Sequence, residues 1–186
     1  MIASGVGQEG ERKRTAVDQD ADGVEARFAD RHGTALDPAH GDVPIAADGI
    51  HSTVRAITYP DEGPPRWSGV MMWRGATDWP EFLTGRSMII AGGTAAKLVI
   101  YPIAEGGSPG TKLTNWALCI RTGEPGAPPP ARQDWSRRAG PEAVEPHIKR
   151  FRVPHVDHAA LVAATAECFT FPRCDRDPLP GGRTGG

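Results

Sequence analysis

The chain has 186 residues, enough to bury the core of one domain or slightly more. Its net charge of -2 offers no electrostatic footprint for nucleic acid or an anionic membrane, and its apolar runs fall far short of the ~20 residues that span a bilayer. No secretory signal is expected, and the three cysteines (Cys119, Cys168, Cys174) form no CxxC and cannot all pair, which fits a reducing, cytoplasmic setting.

Residues 1–14 read as a disordered polar N-terminus. Gly5-Val6-Gly7-Gln8-Glu9-Gly10 is a literal GxGxxG, but that fingerprint needs a strand before it and a packing helix after it. Here Glu11-Arg12-Lys13-Arg14 follow with no apolar stripe, so no phosphate site is assigned. Asp18, Asp20, Asp22 and Gly23 match the opening of a calcium loop, yet Ala29 stands where its closing Glu belongs. A hairpin suits the stretch better, with a turn at Asp20-Ala21-Asp22-Gly23 followed by alternating Val24, Ala26 and Phe28.

Residues 30–41 read as a polar loop leading into a short apolar run at 43–47, whose composition predicts a strand buried on both faces. Pro44 is awkward there, because it removes a ladder donor. The run ends on Asp48-Gly49-Ile50-His51-Ser52-Thr53-Val54-Arg55. Gly49 can take a positive φ, and Ser52 is an N-cap for a brief helix through Ile57, stopped by Tyr59-Pro60. Asp48 then either points at a ligand crevice or merely caps that helix.

From 67 to 121 the chain reads as successive antiparallel strands. Ser68, Val70, Met72, Arg74 and Ala76 share one face of the first, with Gly69, Met71, Trp73 and Gly75 on the other. A helical turn is expected at 79–83, and the glycine- and proline-rich stretch 123–130 excludes regular structure. Helices are expected at 135–138, at 142–151 with Pro146 as a flaw, and at 157–168 capped by Asp157, before a strand at 169–171. Arg74 needs partners, either in a structural ion pair or on an anionic substrate or flavin edge. Tyr101 either reaches a pocket or is an ordinary interior phenol. His147, His155 and His158 have no fixed third ligand, so no metal site is assigned.

The octapeptide with its preceding Ala47, ADGIHSTVR, resembles the DG motif of the FAD-dependent aromatic-ring monooxygenases. YPDEGPPRWSGVMMWRGATDWPEFLTGRSMIIAGG, LVIYPIA, TNWALCIR and FPRCDRDPLP resemble consecutive segments of the phenazine- and salicylate-hydroxylase-like branch. The family has an aliphatic residue where this chain has Pro44 and glycine where it has Ala46. The resemblance implies an α+β chain: part of an FAD/NAD(P)-binding domain at 15–59, a mostly antiparallel substrate-domain sheet covered by helices at 60–180, and a disordered tail at 181–186. It further implies FAD at Asp48 and Gly49, with Arg55 holding the local structure, and an aromatic small molecule near Arg74 and Tyr101. The implied chemistry is hydroxylation with NAD(P)H and dioxygen, with the redox work done by the flavin and positioning done by the protein.

Against this pattern, the N-terminal βαβ unit and the C-terminal Gly-Asp strand are missing, so the chain is expected to be an internal portion of a longer protein, with a complementing chain as one candidate source of the missing FAD-domain half. Alone it is expected to carry no stoichiometric FAD and to be marginally stable, with the 43–47 strand edge open. Two other readings stay open: a non-catalytic module that binds an aromatic ligand, and a truncated gene product without activity of its own.

Overall fold

A computed structural model describes residues 13–179, so the glycine-rich motif at 5–10 and the tail at 181–186 lie outside the described residues. The chain divides into two compact units, Met1–Pro65 with Arg176–Gly186, and Arg66–Asp175.

The first unit opens with β1 (Lys13–Asp20), β2 (Gly23–Ala29) and β3 (Ala35–Gly41), an antiparallel sheet in chain order. Asp20 Oδ1 accepts the backbone N–H groups of Asp22 (2.8 Å) and Gly23 (3.1 Å), so this carboxylate closes the β1–β2 turn. The expected loop over 30–41 is partly wrong. Asp37, Pro38 and His40 hide a strand from composition, but β2 supplies its ladder, pairing Val24 with Gly41 and Phe28 with Leu36. The expected buried strand at 43–47 does not form. Val43 and Ile45 are each 75% exposed, no strand pairs with them among the described residues, and Pro44 has no N–H to offer one. Helix α1 (Thr53–Thr58) follows, N-capped by Ser52 and ended at Tyr59.

The second unit is a six-stranded antiparallel sheet. Its strands are β4 (Arg66–Pro80), β5 (Ile89–Gly92), β6 (Ala96–Glu105), β7 (Thr111–Arg121), the two-residue β8 (Arg138–Ala139) and β9 (Cys168–Asp175). Their spatial order is β5-β6-β7-β4-β9-β8. β4 is bulged between Trp67 and Val70. Gly69 makes the bulge possible: its φ is +76°, and a Cβ there would sit 2.3 Å from the Gly123 carbonyl oxygen. The expected helical turn at 79–83 is instead the end of β4, which stays paired through Pro80 opposite Thr111 and turns only afterwards.

One face of the sheet carries Trp73, Leu98, Ile100, Trp116 and Leu118, packed against Val144, Ile148, Phe151, Val156, Leu161 and Val162. Those covering residues come from a 3-10 turn (Pro141–Ala143), α2 (Glu145–Ile148), α3 (His158–Ala163) and their connections. Pro146 falls in the first turn of α2 and splits the expected 142–151 helix into that turn and α2. α3 starts as expected, with Asp157 Oδ1 accepting from the Ala160 N–H, but ends early because Cys168 already belongs to β9. At 135–138 a turn and β8 replace the expected helix. The Trp116 indole N–H donates to Thr165 Oγ1 at 2.9 Å, fixing the most buried ring under α3's end. Trp116, Ile100 and Leu118 are each 0% exposed.

Candidate functional site

Asp48 and Gly49 turn the chain into α1. Gly49 has φ +78°, a conformation that favours glycine, and a Cβ there would meet nothing within 4 Å. The backbone is thus approachable from that side. Asp48 Oδ1 accepts the Ser52 hydroxyl at 2.5 Å, while Oδ2 accepts the N–H groups of Thr53 (2.8 Å) and Val54 (3.3 Å). Ser52 Oγ in turn accepts the Arg55 N–H at 3.0 Å. Two side chains therefore satisfy successive free amides at the start of one short helix. Burial pushes the Asp48 carboxyl up, but the Ser52 hydroxyl and the amides of Val54 and Thr53 outweigh it and leave the group below its ordinary range. Both ligand-binding and capping readings of Asp48 were open from sequence; the capping bonds are made.

Arg55 is not at the turn's mouth. Its guanidinium grips both oxygens of Glu62, with Nε to Oε2 at 2.7 Å and Nη2 to Oε1, and Nη2 also donates to the Asp177 carbonyl at 2.7 Å. Arg176 closes the set: Nη1 donates to Glu62 Oε2 (2.8 Å) and the Gly63 carbonyl (2.9 Å), and Nε to the Ile50 carbonyl (2.8 Å). The three side chains are only 24%, 20% and 14% exposed. The Arg55 guanidinium holds the Glu62 carboxyl below its usual range against the opposing effect of burial, and Arg176 adds to it. Glu62 and Arg176 escaped the sequence reading because 114 residues separate them.

In the second unit, Arg74 and Tyr101 lie on the sheet face opposite the helices. Arg74 stands beside Ala117 of β7 and Phe169 of β9, and Tyr101 opposite Asn115. Ladder spacing puts their backbones roughly 12 Å apart. The Arg74 guanidinium carbon sits 5.5 Å from the ring centroids of both Trp135 and Phe171, and those two rings lie 4.2 Å apart at 49°. Arg74 makes no ion pair among the described residues, so the structural salt bridge that sequence left open is not formed. Trp135 escaped notice because it sits beyond the proline-rich stretch, on a segment expected to be helical. Gln133 ties that segment to β9 by donating to the Pro172 carbonyl at 3.3 Å.

On the helical side, the His147 ring lies 5.5 Å from that of Trp73, and burial lowers its pKa, with Arg150 adding to the effect. Among the described residues no three His, Cys, Asp or Glu side chains gather as metal ligands, and no helix is long and apolar enough to cross a membrane.

No protein-family model matches the chain. It is 33% identical over 144 residues, 73% of its length, to the phenazine 1,6-dicarboxylic acid hydroxylase PhzS of Lysobacter antibioticus. It spans about a third of that relative's length (33%). Among solved structures it resembles Klebsiella pneumoniae HpxO complexed with FAD and uric acid, with a TM-score of 0.55 and 20% identity over 90% of this chain and 39% of that one. The R204Q variant of HpxO, complexed with FAD, gives a TM-score of 0.58 and 21% identity over 94% and 41%. The sheet-rich α+β architecture is thus shared with these FAD-complexed structures. Fold and sequence relationship together place the chain in the family of FAD-dependent aromatic hydroxylases.

Proposed function

We propose that the protein serves a flavin-dependent monooxygenase that hydroxylates an aromatic small molecule, with NAD(P)H as reductant and dioxygen as oxidant. The observation that carries this reading is the 33% identity across 144 residues to an aromatic hydroxylase, a span long enough to include both candidate sites. The residues at the DG turn fit FAD. Asp48 is exposed and favours its ionised form, and its three internal hydrogen bonds leave about one of a carboxylate's roughly four acceptor positions for a sugar hydroxyl or a bridging water. Gly49 leaves the backbone open to a close approach. When bound, FAD supplies the redox chemistry that none of these side chains can perform.

In this reading Asp48 accepts from the cofactor, Gly49 makes room for it, and Arg55 works through Glu62 to hold the turn in shape. Arg74 and Tyr101 line the surface that orients the aromatic ring. Binding of FAD by equilibrium dialysis to the unaltered chain and to Asp48→Ala tests the cofactor assignment. The variant is expected to bind FAD about tenfold more weakly, as loss of a charge-assisted hydrogen bond requires. Equal affinity would reduce Asp48 to a helix cap.

A further inference from the structure

We infer that the bulged end of the sheet face opposite the helices is a second binding site, one for a phosphate group, formed by Lys97, Arg121 and Arg173. Its position follows from the ladder. Arg121 of β7 and Arg173 of β9 both stand opposite Val70, one on each side of β4. Their backbones are thus two strand spacings apart, roughly 10 Å, a gap that two arginine side chains can close. At the neighbouring position on the same face, Lys97 stands opposite Cys119 and Cys119 opposite Met72. Burial pushes the Cys119 thiol up, and the Arg173 guanidinium and the Lys97 ammonium both act against it. Two of the cations therefore converge on that thiol, with Arg121 beside them.

All three side chains are exposed, and none forms an ion pair among the described residues. The acids of these strands are engaged elsewhere. Asp78 and Glu105 lie toward the other ends of β4 and β6, the first accepting from the Gly107 N–H (2.9 Å) and the second from Lys112 (2.6 Å). Asp175 of β9 stands opposite Arg66. The backbones that carry the cations are also fixed. The Ser68 hydroxyl donates to the Arg173 carbonyl at 2.9 Å, and the Arg121 N–H to the Ala95 carbonyl at 2.8 Å. Like charges held together in this way repel one another, and a bound anion removes that cost. A tetrahedral phosphate takes donors from several directions at once, so two guanidinium forks and an ammonium can share it. A planar carboxylate is filled by a single fork. A nucleic-acid strand would need a wider basic surface than three residues in a chain of net charge -2.

Calorimetric titration of the 186-residue chain with inorganic pyrophosphate and with citrate, at equal ionic strength, sets phosphate chemistry against charge alone. Pyrophosphate is expected to bind about tenfold more tightly, and Arg121→Gln and Arg173→Gln should each weaken it by a similar factor. Arg86→Gln removes the same charge from the β4–β5 turn and should change nothing. An unshifted urea midpoint reports that a variant is folded; should one not fold, the pyrophosphate–citrate ratio of the unaltered chain decides alone. Tighter binding of NADPH than of NADH, lost in Arg121→Gln, would assign the phosphate to the reductant of the reaction proposed above. Equal binding of the two dinucleotides would assign it to free phosphate. Both results support the site, which does not itself rest on the hydroxylase reading. Equal binding of pyrophosphate and citrate, or binding of neither, overturns the inference and leaves that reading standing. Full pyrophosphate affinity in both arginine variants overturns it as well.

Discussion

The two units are stabilised by different physics. In Arg66–Asp175, fifteen buried residues form one apolar cluster between the sheet and its helices, and several of them have no exposed surface at all. In the first unit the buried side chains are few, with Val24, Ala29 and Ser52 below a tenth exposed, and the turn that carries Asp48 is fixed by Arg55, Glu62 and Arg176. Apolar burial is insensitive to direction and to pH, whereas a charge-assisted network is sensitive to both. The unit assigned to positioning an aromatic ring is therefore the rigid one. The unit assigned to the cofactor is expected to loosen first when charge pairing is weakened.

The largest effect is expected where the apolar unit is densest. Trp116→Ala should destabilise the sheet by about 3–5 kcal/mol, read as a lower urea midpoint, because it empties a fully buried site and removes the indole donor to Thr165. A loss below about 1 kcal/mol would mean that the cluster is not what holds this unit. Glu62→Gln should leave that urea midpoint alone while amide exchange over 48–58 rises several-fold; a matching drop in the sheet's stability would erase the distinction between the units.

Acid gives the same contrast without a substitution. The Glu62 carboxyl is held below its usual range when folded, so its contribution is fully present above the unfolded value of about 4.3 and is lost as pH falls through the lower folded one. Exchange at the turn should accelerate there, and Glu62→Gln should leave only the step that belongs to Asp48, whose carboxyl is also held below its ordinary range.

Asp48→Ala removes three hydrogen bonds at the helix start and should cost the α1 region about 1 kcal/mol by exchange. At the small end, Val43→Ser should change no melting transition by more than about 0.5 kcal/mol, because that side chain is 75% exposed. A buried-strand role for 43–47 would make the same change costly.

The strands between 66 and 121 were legible because alternation of large apolar residues is itself the cause of their burial. Trp73 and Gly75 face the helices and Met72 and Arg74 the other side, as the period of two dictates. The caps at Ser52 and Asp157 were legible for a similar reason, since their hydrogen bonds are local. Legibility failed wherever the cause was remote. An apolar run at 43–47 looks like a strand, but strands exist through partners. The polar segment 35–41 is a strand because β2 lies beside it. Asp48 and Gly49 could be picked out individually, whereas Glu62, Arg176 and Trp135 acquire their roles from neighbours far away in the chain.

The bond from Arg176 to Glu62 spans 114 residues, an expensive loop to close in an unfolded chain. Yet Arg66 and Asp175 are ladder partners, so once the sheet has formed, the two arms emerge side by side, a few residues from the glutamate and the arginine. The ordering cost of the ionic latch then collapses from that of a long coil to that of two short stubs. Loop-closure entropy therefore favours the order in which the sheet forms first and the latch closes afterwards at little entropic expense. A chain cut anywhere within the sheet's turns would still bring the stubs together, whereas one whose sheet cannot form would have no reason to make the latch.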